Sequence, residues 1–221
     1  MNKPQLIVML THNDYTVADA NAVFAACRDS QAMYWGAKEQ GISHEELLQL
    51  FAAVKSAGKK SALEVVAYTE EEGLAGARLA AECGCDMLLG TVFFDSILEV
   101  CRENDIMYMP YVGQVSQRPS ILEGTLEDMA QQAAVCVEKG AAGVNLLGYR
   151  YQGDGFSLSC SLVSRVNAPV CLAGGINSFV RLDEVKKIAP AYFTIGGAFF
   201  DRRFGDEIRE QINAVCRYVA E

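Results

Sequence analysis

Short runs of hydrophobic residues alternate with longer amphipathic segments along the whole chain. The short runs contain few polar positions, which is typical of parallel strands that are covered on both faces. The longer segments show the 3.6-residue spacing of helices that bury one face. We therefore predict eight strands and eight helices in alternation. The predicted strands are 6–10, 32–35, 61–67, 87–89, 107–112, 143–147, 170–173 and 192–195, and the predicted helices are 17–28, 44–57, 70–84, 95–103, 125–139, 157–166, 179–188 and 206–219.

Eight strand–helix units in 221 residues, without a linker or a repeat, favour a closed barrel. An open, doubly wound sheet is the alternative. Such a sheet usually carries a glycine-rich phosphate loop after its first strand, and the segment LTHND at 10–14 contains no glycine. The sequence therefore predicts an α/β fold, a single (β/α)8 TIM barrel, with residues 1–221 forming one domain.

The composition and charge of the chain limit the kinds of molecule that it is expected to bind. The formal net charge of −9 argues against non-specific binding to nucleic acid or to an anionic membrane. No hydrophobic run approaches the ~20 residues of a membrane span, and the chain leads directly into a strand, so we expect no signal peptide. The eight cysteines are scattered and form no zinc pattern, which is typical of reduced structural thiols in a cytoplasmic protein.

Two glycine pairs near the end of the chain are its most informative feature. The segments PVCLAGGIN at 169–177 and YFTIGGA at 192–198 each lead from a predicted strand into a glycine pair. Without a Cβ, Gly174, Gly175, Gly196 and Gly197 let backbone N–H groups approach an anion closely. In (β/α)8 barrels, phosphate is often held by the loops after strands seven and eight. We expect these four glycines, with Asn177, to bind the phosphate of a substrate.

Polar residues near the other predicted strand ends are candidates for catalysis, because active sites of such barrels lie there. Glu64 lies inside a hydrophobic strand, where a carboxylate is costly to bury unless it is paired. It is either a general acid or base, or an outward-facing partner of a lysine. Lys38 is either a ligand for an anionic substrate or enolate, or a solvated loop residue. His12 is a candidate for proton transfer, with Asp14 close enough to orient it, or a loop histidine bonded to the backbone.

Further residues are candidates for binding a substrate or a metal ion. Asn145 and Arg150 are expected to bind hydroxyl or carboxylate groups of the substrate, as is Asp14, although an asparagine inside a barrel can equally be a satisfied core amide. No spacing indicates a cofactor. Magnesium bound by Glu64 with Asp14 is an open alternative, because carboxylates are preferred ligands of this ion. Arginines in loops are usually solvated, which is what we expect of Arg118, Arg202 and Arg203.

With these residues in view, the chain resembles the ribulose-phosphate-binding barrel superfamily. The resemblance rests on APVCLAGGIN at 168–177 and FTIGGA at 193–198, which are similar to the family's paired phosphate site. In strand order and loop spacing the chain is most similar to the orotidine monophosphate decarboxylase suite, with hexulose-phosphate synthase and ketogulonate-phosphate decarboxylase. The resemblance implies a homodimer that acts on a phosphorylated sugar or sugar acid, by lyase or isomerase chemistry through an enolate-type intermediate.

The chain departs from that suite at strand three. The suite's signature there is Asp-x-Lys-x-x-Asp, whereas this chain reads LEVVAY at 63–68, so the suite's catalytic centre does not carry over. One alternative is a non-catalytic barrel that binds a phosphorylated ligand. Another is a phosphoribosyltransferase-like member, because ALEV at 62–65 resembles the barrel of quinolinate phosphoribosyltransferases. A class I aldolase of the ketodeoxyphosphogluconate type would need a Schiff-base lysine on strand six, where the chain reads VNLL at 144–147.

Overall fold

The computed structural model describes residues 3–221 and shows eight parallel strands that alternate with helices. The predicted (β/α)8 TIM barrel is confirmed, and residues 1 and 2 of the predicted domain lie outside the described residues. The strands are β1 (Gln5–Met9), β2 (Tyr34–Lys38), β3 (Lys60–Val65), β4 (Met87–Gly90), β5 (Met107–Met109), β6 (Val144–Leu146), β7 (Val170–Leu172) and β8 (Tyr192–Ile195). The helices are α1 (Ala20–Cys27), α2 (His44–Ser56), α3 (Glu70–Glu82), α4 (Asp95–Glu103), α5 (Leu126–Lys139), α6 (Gly155–Arg165), α7 (Phe179–Ile188), the short α8 (Gly197–Phe200) and α9 (Ile208–Ala220).

The sheet is nearly closed on itself. Hydrogen bonds connect the strands in the order β6, β7, β8, β1, β2, β3, β4, β5, so that β8 pairs with β1. Between β5 and β6 an isolated bridge joins Tyr111 to Asn145, and the Asn145 N–H donates to the carbonyl of Pro110 at 2.7 Å. Because all eight strands are parallel, their carboxyl ends lie on one rim of the barrel.

Side chains of each strand alternate between two hydrophobic layers. On β1, Leu6 and Val8 pack outward against the helices, whereas Ile7 and Met9 belong to the cluster inside the barrel. The interior is tightly filled, because a Cβ on Gly36 would lie 2.4 Å from the Met9 sulfur. Within residues 3–221, no helix combines the length and the hydrophobicity that a membrane span requires.

The bounds of the eight longer helices agree closely with the sequence predictions, and α2 begins with a capping box between Ser43 and Glu46. Two strands differ most from their predictions. β2 continues beyond its predicted end at 35, so Lys38 lies at the end of a strand and not in the loop that follows. β5 ends at Met109, because Pro110 has no N–H with which to continue the ladder.

The first of two hairpins that the sequence analysis does not predict follows β1. It pairs Thr11–His12 with Tyr15–Thr16 in antiparallel fashion. Asn13 and Asp14 form its tip with φ values of +48° and +72°, which these residue types tolerate better than most. The hairpin places the predicted candidates of this loop at the rim of the barrel.

The second hairpin follows β5 and pairs Gln114–Ser116 with Ile121–Glu123. Tyr68, three residues beyond β3, connects this hairpin to the barrel. The Tyr68 hydroxyl donates to the carbonyl of Gln117 at 2.7 Å and lies 2.8 Å from the Ser120 hydroxyl. Both hairpins therefore lie beside the carboxyl ends of the barrel strands.

Candidate functional site

A cavity of about 340 Å³ opens at the carboxyl ends of the strands, where the sequence analysis expects the active site. Of the predicted site residues, all but Asn145 line it. Those that do are His12, Asp14, Lys38, Glu64, Arg150, Gly174, Gly175, Asn177, Gly196 and Gly197.

Both glycine pairs reach this cavity from the adjacent strands β7 and β8. Gly174 and Gly175 have φ values of +79° and +71°, which residues with a side chain rarely adopt. A Cβ on Gly196 would lie 2.5 Å from the Thr11 hydroxyl oxygen. The backbone conformation therefore favours glycine at 174 and 175, and the close contact with Thr11 favours glycine at 196. We call the segments 174–175 and 196–197 the glycine turns.

Arg150 lies beside the first glycine turn. Its side chain is so close that a Cβ on Gly174 would lie 2.8 Å from Arg150 Cγ. None of the ion pairs formed within the described part of the chain involves Arg150. In a chain with a net charge of −9, a cation without an acidic partner at the cavity is suited to bind an anionic ligand.

Lys38, Asp14 and Glu64 form a second cluster, which we call the Lys38 centre. The Lys38 ammonium donates to the Asp14 carboxylate and lies 3.7 Å from Glu64 Oε2. Lys38 on β2 is opposite Glu64 on β3 in the sheet register. The side chains of all three are at most 10% exposed. Glu64 therefore faces the inside of the barrel, and the alternative of an outward-facing carboxylate does not apply.

The charge of Lys38 is maintained by its neighbours. Burial favours the neutral amine, but the carboxylates of Glu64 and Asp14 outweigh burial and raise the pKa of Lys38 above its ordinary value of 10.5. Lys38 is therefore an ammonium group at neutral pH. As such it can stabilise negative charge that develops on a substrate, but it is poorly suited to attack a carbonyl as an amine.

Two further side chains contact the Lys38 centre. Arg118, which we expected to be solvated, reaches from the second hairpin to within 3.4 Å of Asp14 Oδ2 and also pairs with Glu39. Tyr111 is buried, and its hydroxyl donates to Glu64 Oε1 at 3.1 Å. The sequence gives neither residue a distinguishing signal, because loop arginines and strand tyrosines are common in any barrel.

His12 does not pair with Asp14, contrary to the expectation from their spacing. Its Nε2 lies 3.0 Å from Asp201 Oδ1, just after α8. The imidazole also lies against the second glycine turn, where a Cβ on Gly197 would be 3.3 Å from His12 Cδ2. The hairpin tip explains the difference, because the positive φ values of Asn13 and Asp14 turn the chain between the two side chains. Asp14 thus contacts Lys38, and His12 lies near the glycine turn.

Asn145 lies in the barrel interior and does not line the cavity. It is fully buried and pairs in register with Cys171 of the interior cluster. Leu147, two positions further along the chain, does line the cavity. Neither polar atom of the Asn145 side chain has a hydrogen-bond partner among residues 3–221. Asn145 therefore neither lines the cavity, as a substrate ligand would, nor has the hydrogen bonds of a satisfied core amide.

The carboxylates of Asp14 and Glu64 lie together, as a magnesium site would require, but the Lys38 ammonium lies between them. A magnesium ion at this place would have to displace that ammonium from both carboxylates. In the described part of the chain, no group of three or more His, Cys, Asp or Glu residues could hold a metal ion. The residues fit an ion-paired centre better than a magnesium site.

Comparisons with known proteins identify similar folds. The sequence matches no protein-family model and no curated protein. The structure is similar to orotidine 5'-phosphate decarboxylase from Pyrococcus horikoshii OT3, with a TM-score of 0.71 and 13% identity over 98% of this chain and 100% of that chain. The same enzyme from Lactobacillus acidophilus gives a TM-score of 0.69 and 10% identity over 100% of both chains.

Another similar structure is the tryptophan synthase alpha chain from Legionella pneumophila subsp. pneumophila. Its TM-score is 0.69, with 11% identity over 99% of this chain and 92% of that chain. At such low identities, these similarities establish the barrel fold alone.

Proposed function

We propose that this protein is an enzyme that acts on a phosphorylated sugar or sugar acid, by lyase or isomerase chemistry through an enolate-type intermediate. The observation that supports this proposal is one cavity lined by the glycine turns, by the Lys38 centre and by Arg150, which forms no ion pair within residues 3–221. The glycine turns and Arg150 are suited to a phosphate group, and the Lys38 centre is suited to proton transfer. Two of the structurally similar proteins are named for a phosphorylated substrate, which agrees with the proposal.

In this proposal the phosphate binds at the glycine turns. Backbone N–H groups can approach it because no Cβ intervenes. The Arg150 guanidinium adds a charge and can donate two parallel hydrogen bonds to phosphate oxygens. The net negative charge of the protein does not prevent binding, because interactions between exposed charges are largely screened beyond about 8–10 Å at physiological salt.

The reacting carbon of the substrate then lies against the Lys38 centre. Glu64 accepts a proton from this carbon as general base, and the electron pair of the broken C–H bond moves into the enolate. The Lys38 ammonium stabilises the negative charge on the enolate oxygen. Asp14 keeps Lys38 charged and in place. His12, held by Asp201 near the glycine turn, is a second candidate to transfer a proton.

Thermal denaturation with added ligands tests the phosphate site. Inorganic phosphate and a pentose 5-phosphate should raise the melting temperature, while the unphosphorylated pentose and sodium chloride at equal ionic strength should not. At 100 times its dissociation constant a ligand stabilises the folded state by about 2.7 kcal/mol. For a chain of this size, that corresponds to an increase of roughly 5–10 °C.

Two variants make the test specific. Arg150→Met should remove most of the stabilisation by phosphate. Arg165→Met should retain it, because Arg165 is a half-exposed residue of α6 whose partner is Glu127. Absence of stabilisation by any phosphorylated compound would contradict the proposal. Stabilisation without turnover, together with unchanged binding in Glu64→Ala, would instead support the alternative of a non-catalytic barrel that binds a phosphorylated ligand.

A further inference from the structure

Tyr111 has no role in the proposed proton transfer, although its hydroxyl contacts the proposed base, Glu64, directly. Its side chain is buried beside β5, and its hydroxyl donates to Glu64 Oε1 at 3.1 Å. Burial and the nearby Glu64 raise the pKa of Tyr111 well above its ordinary value of 10.0. The phenol therefore stays neutral and remains a hydrogen-bond donor. One oxygen of the Glu64 carboxylate is thus always engaged.

The other oxygen of Glu64 is close to an ammonium group without being bonded to it. Oε2 lies 3.7 Å from Lys38 Nζ, which is longer than the 2.7–3.2 Å of ordinary N–H···O hydrogen bonds. Opposite charges attract strongly where water is scarce, and both side chains are only 9% exposed. A direct hydrogen bond would be expected unless another contact held the carboxylate back. Two contacts are present: the Lys38 ammonium donates to Asp14, and the Glu64 carboxylate accepts from Tyr111.

We propose that Tyr111 is a positioning residue that keeps the Glu64 carboxylate from closing onto Lys38, so that Oε2 stays free to accept a proton. The catalytic role of this arrangement rests on the proposed function, whereas the contact of Tyr111 with Glu64 is independent of it. Without the Tyr111 hydroxyl, Glu64 would rotate into a direct hydrogen bond with the Lys38 ammonium. A carboxylate oxygen that already accepts from an ammonium is a weaker base.

The other groups around the Lys38 centre cannot replace Tyr111. Lys38 also faces Asp14 and Arg118, and Glu64 also faces the thiol of Cys171. Burial raises the pKa of Cys171, so this thiol stays neutral and is a weak donor. Within residues 3–221, the Glu64 side chain accepts a hydrogen bond only from Tyr111. Removal of this one oxygen should therefore release the carboxylate.

Tyr111→Phe tests the proposal, with Tyr108→Phe as the matched control. Tyr108 is also a buried tyrosine of this β5 region, but it lies in the outer layer and its hydroxyl bonds to Thr91. The readout is the rate at which acetic anhydride acylates Lys38 at pH 9, measured by peptide mass spectrometry against Lys55. Only the neutral amine reacts, so the rate reports the fraction of Lys38 that has lost its proton.

The expected result is an approximately tenfold slower acylation of Lys38 in Tyr111→Phe, and an unchanged rate in Tyr108→Phe. Shortening the charge separation from 3.7 Å to about 2.8 Å at an effective dielectric constant of about 20 corresponds to roughly one unit in the pKa of Lys38. Equal rates in the two variants would overturn the proposal. A crystal structure of the unaltered protein is the second measurement, and a direct Glu64–Lys38 hydrogen bond in it would also overturn the proposal.

The same proteins separate this inference from the proposed function. Phosphate should raise the melting temperature of Tyr111→Phe as much as that of the unaltered protein, because Tyr111 is not part of the glycine turns. If phosphate stabilised none of the proteins while Lys38 acylation still slowed, the proposed function would fail and the role of Tyr111 in holding Glu64 would stand. If phosphate bound and acylation did not change, only the role of Tyr111 would fail.

Discussion

The two parts of the cavity are built in different ways. The glycine turns consist of backbone, and the cation beside them, Arg150, has no acidic partner within residues 3–221. The Lys38 centre consists of side chains of opposite charge that pair with one another, one ammonium with two carboxylates. The first part therefore has a cation that is free to pair with an anion, while the charges of the second are already paired without a ligand. Unpaired charge thus marks the proposed binding region, and paired buried charges mark the proposed reactive region.

The largest difference between the two parts should appear when the one cation of the Lys38 centre is removed. Lys38→Met leaves two buried carboxylates without their shared partner and should lower the free energy of unfolding by about 3–5 kcal/mol. Lys60→Met removes the exposed pair with Asp86 and should cost no more than about 1 kcal/mol, because water screens that pair. Urea denaturation of both variants checks this. Equal losses would contradict the buried character of the Lys38 centre.

A smaller effect is expected from a methyl group in the glycine turns. Gly174→Ala and Gly58→Ala each place a side chain at positive φ, at a cost of roughly 1–2 kcal/mol in unfolding free energy. The two positions differ in their surroundings. The new Cβ of Gly174→Ala meets Arg150, whereas nothing lies within 4 Å at Gly58. Only Gly174→Ala should reduce the stabilisation by phosphate, and full retention of that stabilisation would contradict the assignment of the turn.

The smallest effect concerns the pH dependence of stability. The pKa of Lys38 is raised in the folded protein, so its contribution to stability is fully present below the unfolded value of 10.5. The contribution is lost as pH rises through the folded value. The difference in unfolding free energy between the unaltered protein and Lys38→Met should therefore be constant from neutral pH to about pH 10 and shrink above it. A difference that grew above pH 10 would contradict the sign of this coupling.

The sequence predicts the barrel and the glycine turns because their signals are local. Each turn is a glycine pair directly after a buried strand, and the helix bounds follow from hydrophobic spacing and capping residues. The Lys38 centre depends on longer-range structure. The register of β2 and β3 decides whether Glu64 faces inward. The closure of the barrel decides whether Glu64 contacts Tyr111.

The two hairpins explain the other differences from the sequence predictions. The tip of the first hairpin separates His12 from Asp14, which their spacing alone had suggested as partners. The second hairpin carries Arg118 over the rim to Asp14, although nothing distinguishes its sequence from that of a solvated loop. Spacing along the chain therefore predicts contacts well within one turn or helix, and poorly where a short antiparallel pair redirects the side chains.

The most direct test of the phosphate site is the change of backbone amide resonances on titration with inorganic phosphate. We expect the largest changes in the ¹H–¹⁵N spectrum at Gly174, Gly175, Gly196 and Gly197, and we expect Arg150→Met to abolish them at the same phosphate concentration. Changes confined to exposed arginines elsewhere, or no change at these four glycines, would contradict the claim that the two turns bind one phosphate.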